Sequence, residues 1–332
     1  MVKTSSKKTK FDIVSIGDCT IDAFLHIEEA EVHNTKNGKK LSFNYGDKIP
    51  YESLTILSAG NCNNIAVGSS RLGLKAGYYG TVGGDHNSHV ILNKLREEGV
   101  SRDLMSIQKH AQTNFHVVLW YKKDRTILIK HQPYTYKLPA GINSTKWIYL
   151  STVGPRGLKL HTEIVDFLKK NPNIKMAFNP GTYQLRLGLS KLKPLFKHTE
   201  ILFVNKEEAQ MLVDGKTDDF RELANRLHKH GPKTVVITDG LKGSYCLHGN
   251  AFYYMGIYPH TPYEATGCGD AYAVGFTSAR VRDLSVPEAL RWGSRNGASV
   301  ATKIGPQVGL VKFSQMQKDL KAHKNFQAKI IK

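Results

Sequence analysis

Apolar and polar positions along this chain fall into blocks whose period switches between that of a strand and that of a helix. "FDIVSIG" (residues 11–17) is a short run rich in β-branched residues and predicts a strand. "NNIAVGSSRLG" (63–73) puts Ile65, Val67 and Leu72 on helical spacing and closes on Gly73, a helix-ending residue. "AGYYGTVG" predicts another strand, "NSHVILNKLREEGV" a helix, and "FHVVLWY" and "TILIKH" around "KKDR" a hairpin. From residue 147 strands and helices alternate strictly: "WIYLSTV", "HTEIVDFLKK", "IKMAFNP", "ILFVN", "EEAQMLV", "FRELANRLHKHG", "TVVITDG". That order predicts an α/β fold, a parallel sheet covered by helices on both faces. Segment 25–57 breaks the pattern, being polar and rich in Asn, Lys and Gly. With the hairpin at 113–131 it reads as a small β-lid projecting from one main domain. No interdomain linker or internal repeat is visible.

Composition narrows the class. A chain of 332 residues, 40% apolar with 29 Gly, can bury a sizeable core and suits a globular enzyme better than a fibrous or disordered protein. No apolar run approaches the roughly 18–20 residues that cross a bilayer, and "MVKTSSKKTK" lacks the apolar stretch of a signal peptide. Cys19, Cys62, Cys246 and Cys268 lie far apart without a C-x-x-C pair, so reduced thiols in a cytoplasm are expected. The formal charge of +19 invites a nucleic-acid reading. Nine of those charges, however, sit in residues 1–10 and 311–332, which read as basic tails of the kind usually mobile. The chain has no aromatic RNA-binding motif, zinc-finger spacing or long basic helix, so no specific nucleic-acid partner is expected. Weak attraction to phosphorylated ligands follows from charge alone.

Ligands of such sheets bind beyond the carboxyl ends of strands, so three turns matter. "GDCTID" (17–22) carries Asp22, and Asp18 as a turn former. "SAGNCNNIAVG" (58–68) opens a helix with small residues and Asn61, Asn63 and Asn64. "EATGCGDAYAVGF" (264–276) sets Gly267, Cys268 and Gly269 at a helix start, where N–H groups and the helix dipole attract anions. Asp270 then either takes a proton from an attacking hydroxyl, with the phosphoryl group on the amides, or merely caps the helix. Cys268 is either an exposed thiol of lowered pKa or a small residue with a buried, inert sulfur. His86 and His89 lack acidic or cysteine companions and read as surface residues. No G-x-G-x-x-G follows the first strand and no P-loop occurs.

Four motifs in order carry a resemblance. Glu264-Ala265-Thr266-Gly267-Cys268-Gly269-Asp270 is similar to the Asp-x-Thr-Gly-Ala-Gly-Asp signature of the ribokinase-like (PfkB) family of sugar and nucleoside kinases. Ala59-Gly60-Asn61-Cys62-Asn63-Asn64 resembles its Gly-Gly-x-x-x-Asn turn. Asn205-Lys206-Glu207-Glu208 resembles its Asn-x-x-Glu motif, and Thr238-Asp239-Gly240-Leu241-Lys242-Gly243 its Thr-x-Gly-x-x-Gly strand end. The resemblance spans roughly residues 11–312, leaving 1–10 and 313–332 as tails.

The resemblance implies a three-layer ribokinase-like fold, mostly parallel, with a β-lid. It implies ATP and Mg2+, with Asp270 as catalytic base and the amides of Gly267, Cys268 and Gly269 as anion hole. Asn205 and Glu208 would organise magnesium and its waters, and Thr238, Gly240 and Gly243 would line the nucleotide, with Asn296 near the adenine. Asp22, Gly60, Asn64 and Asn179 would hold the acceptor. Glu264 stands where the family usually has Asp, so a monovalent-cation shell at Glu264 and Thr266 is a candidate altered by an extra methylene. The expected activity is transfer of the ATP γ-phosphoryl group to a hydroxyl of a sugar or sugar phosphate. A nucleoside acceptor is the alternative, and a non-catalytic binding protein of the same fold a remoter one. A homodimer through the lid's strand edges is expected.

Overall fold

The computed structural model describes residues 10–36, 38–122, 124–213 and 217–331. Lys3, Lys7 and Lys8 of the basic N-terminal segment lie outside them. The chain opens with β1 (Phe11–Ile16), β2 (Thr20–Ile27), the exposed hairpin β3 (Glu31–Thr35) and β4 (Gly38–Ser42), and β5 (Tyr51–Ala59). After α1 (Asn61–Arg71) come β6 (Ala76–Tyr79), β7 (Thr81–Gly83), α2 (His86–Glu97), β8 (Ser106–Gln108), β9 (Phe115–Tyr121) and β10 (Asp124–Leu128). β11 (Thr145–Leu150), α3 (Leu158–Lys170), β12 (Lys175–Phe178), α4 (Thr182–Phe196), β13 (Ile201–Asn205), α5 (Lys206–Leu212), α6 (Phe220–His228) and β14 (Thr234–Thr238) follow, and the sequence pattern predicts each of them except α4. The chain closes with β15 (Ser244–His248), β16 (Ala251–Met255), α7 (Cys268–Val281), α8 (Val286–Val300), α9 (Phe313–Ala322) and β17 (Lys329–Ile330).

The main sheet has the order β17-β16-β15-β14-β13-β12-β11-β1-β6. From β6 to β14 its pairs are parallel; β14 to β17 are antiparallel. The fold is therefore α/β with a mostly parallel sheet, as expected, but the parallel pairing stops at β14. Side chains alternate between two apolar layers. Val236 of β14 packs in the layer of α1, α7 and α8 with Ile65, Phe276 and Leu290. Val235 and Ile237 pack in the layer of α3, α4 and α6 with Leu160, Leu192 and Leu223. Burial on both faces explains why these strands read as continuous apolar runs.

Other sequence expectations need redrawing. "AGYYGTVG" is two strands: β6 joins the main sheet, while β7 pairs with β8. α4 escaped the sequence reading because Gly188 (φ 74) kinks it and Pro194 lies inside it. The segment 313–332 is not a tail through its described part. Met316 and Leu320 of α9 are buried in the core, and β17 adds the ninth strand of the sheet.

The lid is a four-stranded sheet, β10-β9-β2-β5. It begins at Thr20, earlier than the sequence pattern placed it, because β2 continues almost directly from β1 and crosses into the second sheet. Asp22 thus lies on a lid strand, opposite His116 in the parallel β2–β9 register. The register puts Phe24 beside Val118 and pairs Trp120 with Arg125, and these residues face the main domain. On the outward face Leu54, Ile56 and Leu128 are exposed, and β5 and β10 are the edge strands of the lid.

Candidate active site

Two cavities meet between the lid and the carboxyl ends of the parallel strands. The larger, of about 750 Å³, is lined by Asp18, Asp22, Gly60, Asn64, His116, His131, Asn179, Asn205, Glu208 and Asp270. The other, of about 510 Å³, is mostly apolar and lined by Phe24, Val118, Trp120, Gly243, Ile257, Tyr263 and Tyr272. Arg125, Thr238, Gly240, Ala265, Cys268 and Gly269 line both and mark the passage between them.

α7 starts at that passage. Gly267 is left-handed (φ 80), and a Cβ there would collide with Pro306. At Gly269 a Cβ would meet no protein atom within 4 Å, so the glycine leaves its space to the cavity. The Cys268 amide donates to the Ala265 carbonyl at 3.3 Å, so this member of the expected trio of donors is turned into a tight turn. Cys268 itself is half-buried, and burial with Glu264 nearby pushes its thiol up to about 12. Burial and the neighbouring carboxylate thus act against the lowered thiol pKa of the reactive alternative.

Asp270 lies on the first turn of α7 at the cleft floor. Burial pushes its carboxyl up to about 6, opposed by the Asn64 hydrogen bond and reinforced by the negative charges of Glu208 and Asp22. Asn64 Nδ2 donates to Asp270 Oδ2 at 2.8 Å, and Asn64 Oδ1 accepts from Gln307 Nε2 at 3.0 Å. Asn64 is buried and lines the larger cavity, and through this bond it orients the carboxylate as well as offering a second N–H toward an acceptor.

The other expected acceptor residues gather around the larger cavity. Asp22 is buried with Oδ1 at 3.3 Å from His116 Nδ1. Asp22 Oδ1 and His116 Nε2 have no hydrogen-bond partner, a costly state unless a ligand supplies one. Asp18 is more than a turn former: its carboxylate accepts from Tyr136 Oη at 2.9 Å and lies 3.2 Å from His131 Nδ1. Asn179 Nδ2 donates to the Phe203 carbonyl at 2.9 Å while the residue lines the cavity. His116, His131, Arg125 and Gln307 were absent from the sequence reading. They come from β9, β10, the segment after β10 and a late loop, and only the pairing of β2, β9 and β10 and long-range packing bring them to the carboxylates.

Asn205 and Glu208 form a capping box on α5: Glu208 N donates to Asn205 Oδ1 at 2.8 Å, and Asn205 N to Glu208 Oε2 at 2.9 Å. Burial raises the Glu208 carboxyl, the Asn205 amide opposing and Glu207 adding to the shift. Asn296 is not at the cleft. It is fully buried, donating to the Ala271 carbonyl at 2.6 Å and accepting from Val311 N at 3.0 Å, so it ties α8 to α7. His86 and His89 are exposed on α2, as expected.

The sequence pattern of the pfkB family carbohydrate kinases matches residues 10–312. The chain belongs to that family. As a pfkB kinase it is a sugar or nucleoside kinase of the ATP-dependent phosphotransferase type. It is 25% identical over 258 residues to an uncharacterized sugar kinase of Archaeoglobus fulgidus, covering 74% of this chain and 98% of that one. It is 24% identical over 310 residues to a nucleoside kinase of Methanothermobacter thermautotrophicus, covering 90% and 92%. In fold it matches the ribokinase of Arabidopsis thaliana complexed with ribose and ATP, with a TM-score of 0.80 and 19% identity, covering 93% of this chain and 98% of that one. No helix among the described residues is long and apolar enough to cross a membrane.

For this pfkB kinase the two expected cations fare differently. Among the described residues no three His, Cys, Asp or Glu side chains cluster at metal-ligand spacing. Magnesium needs only one or two carboxylates besides phosphate oxygens and water, and Glu208 lines the cavity with a carboxylate that burial makes unstable as a lone anion. That donor set fits Mg2+. At Glu264 an arginine already competes with a monovalent cation for the carboxylate. Glu264 Oε1 accepts from Thr266 N at 2.6 Å, and Arg125 Nε stands 3.9 Å from that oxygen.

Proposed function

We propose that this kinase transfers the γ-phosphoryl group of ATP to a hydroxyl of a sugar or sugar phosphate. The observation that supports this most directly is the place of Asp270: a carboxyl near pKa 6 on the cleft floor beside the amides that open α7, where the two cavities join. ATP would lie in the apolar cavity along Thr238, Gly240 and Gly243, its terminal phosphate reaching the Gly267–Gly269 turn. The acceptor would lie in the larger cavity. Asp270 would accept the proton of the attacking hydroxyl, typically a 10²–10⁴-fold contribution, while the Gly267 and Gly269 amides hold developing phosphoryl charge. Magnesium, held by Glu208 and Asn205 through water, would supply charge neutralisation at the phosphates.

A sugar is favoured over a nucleoside by the lining of the larger cavity. Twelve of its described lining residues carry carboxylates, amides or imidazoles, and Phe203 is its one phenyl ring, so it suits hydroxyls better than a flat base. The test is ATP turnover by the purified protein against panels of sugars, sugar phosphates and nucleosides. Turnover with nucleosides alone would replace the sugar reading, and no ATP turnover with any acceptor would favour a non-catalytic binding protein.

A further inference from the structure

Arg125 stands where a group passing from one cavity to the other must travel. Of the six residues that line both cavities, it is the one with a cationic side chain. It projects from β10 of the lid, directly across from Trp120, whose ring stacks on His26 with centroids 4.6 Å apart and meets Tyr263 edge-on at 5.9 Å. The lid strand carrying Arg125 is thus packed against the segment that leads into α7.

The groups around Arg125 are unfinished as a protein-only arrangement. Arg125 Nε is buried without a hydrogen-bond acceptor, since 3.9 Å to Glu264 Oε1 is an ion pair but too long for a hydrogen bond. Glu264 Oε2 and Thr266 Oγ1 are buried and also lack partners. Glu264 is itself firmly placed: its backbone N–H donates to the Ala301 carbonyl at 3.1 Å, and its Oε1 receives Thr266 N. A guanidinium presents donors along more than one edge, so it can lean on a carboxylate and still offer a fork to phosphate oxygens.

We infer that Arg125 is a catalytic residue carried by the lid, its guanidinium steered by Glu264 into the passage so that it meets the terminal phosphate of the nucleotide. The inference rests on the ATP-phosphotransferase reading and adds a component to it. Glu264 is the positioning residue and takes an arginine where the family resemblance led to the expectation of a monovalent cation. Because Arg125 is carried by the lid, the strand that roofs the cleft also supplies the positive charge at the passage. This couples acceptor enclosure to charge neutralisation.

The test is calorimetric titration of the intact protein, in magnesium, with ADP and with a non-hydrolysable β,γ-imido ATP analogue. Arg125→Gln should weaken the triphosphate analogue about tenfold, the size of a charge-assisted hydrogen bond, while ADP stays within about twofold. Arg125→Lys, which keeps the charge but not the fork, should fall between. Glu264→Gln can still accept from Thr266 N, so the turn should persist. It should weaken the analogue less than Arg125→Gln and add nothing in the Arg125→Gln background, because both changes remove the same contact. Equal loss for ADP and analogue, no loss in Arg125→Gln, or additive losses would overturn the inference. So would a Glu264→Gln deficit that potassium repairs. If the unmutated protein binds neither nucleotide, the kinase reading itself falls and this inference with it. If it binds both and Arg125→Gln is silent, only the inference falls.

Discussion

Asn64 of α1 donates its amide to the Asp270 carboxylate of α7 at 2.8 Å, while Gln307 donates to the Asn64 carbonyl oxygen at 3.0 Å. This relay holds the proposed base against two opposing influences, burial and the negative charges of Glu208 and Asp22. Removing the donor with Asn64→Leu should raise the Asp270 pKa further above about 6, by roughly one unit for a hydrogen bond to a charged group. The acid limb of the kcat/KM profile should move to higher pH by that amount, with activity largely regained in alkali. A loss of rate that is uniform across pH would assign Asn64 a role other than tuning the carboxyl.

Asp270 should leave its mark on stability as well. Its folded-state pKa of about 6 lies above the ordinary 3.8, so the folded chain binds this proton more tightly than the unfolded chain does. The stabilising contribution is full below the unfolded value and is lost as pH rises through the folded one. Asp270→Asn should therefore melt higher than the unmutated protein above pH 6, with the gap closing below pH 4, while kcat falls by about 10²–10⁴. Thermal scans at several pH values check the first part and single-turnover kinetics the second. Near-normal kcat in the folded variant would reduce Asp270 to a helix-start acid.

Glu208→Gln separates the capping box from the charge. Glutamine at the third helical position still closes the box, so the melting temperature should hold. The magnesium concentration needed for half-maximal activity should rise. Asn205→Ala should behave differently, costing about 1 kcal/mol of stability through the lost cap in addition to any magnesium effect. Unchanged magnesium dependence in Glu208→Gln would leave the box purely structural.

Gly267→Ala and Gly269→Ala should fail for different reasons. At Gly267 the methyl meets Pro306 and a left-handed φ, so the folded state suffers and thermal stability drops. At Gly269 the methyl enters space that no protein atom occupies, so stability should stay within about 1 kcal/mol, helix propensity even favouring alanine. ATP turnover should nevertheless fall, because the new methyl fills the passage between the cavities. Normal turnover in Gly269→Ala would move the phosphate path away from this turn.

The sequence by itself determined the strands β11 to β14 and the helices α3, α5 and α6 among them, the hairpin β9–β10, the helix starts of α1 and α7, and the motifs at 205–208, 238–243 and 264–270. These are local matters: side-chain period, turn residues and caps act within a few residues of one another. It did not determine that β14 is followed by an antiparallel edge, nor that 313–331 completes the body, because an amphipathic helix and a two-residue strand look like a basic tail until their partners are in place. Tertiary structure alone decided the hydrogen-bond partners of Asn64 and Asn296, two asparagines expected to hold ligands. Long-range packing gave Asn64 to Asp270 and buried Asn296 between α7 and α8. Tertiary structure also brought His116, His131 and Arg125 to the carboxylates at Asp22, Asp18 and Glu264, which are remote from them in sequence. Register between strands, set by which faces are buried, is the physical quantity that a single chain of letters does not contain.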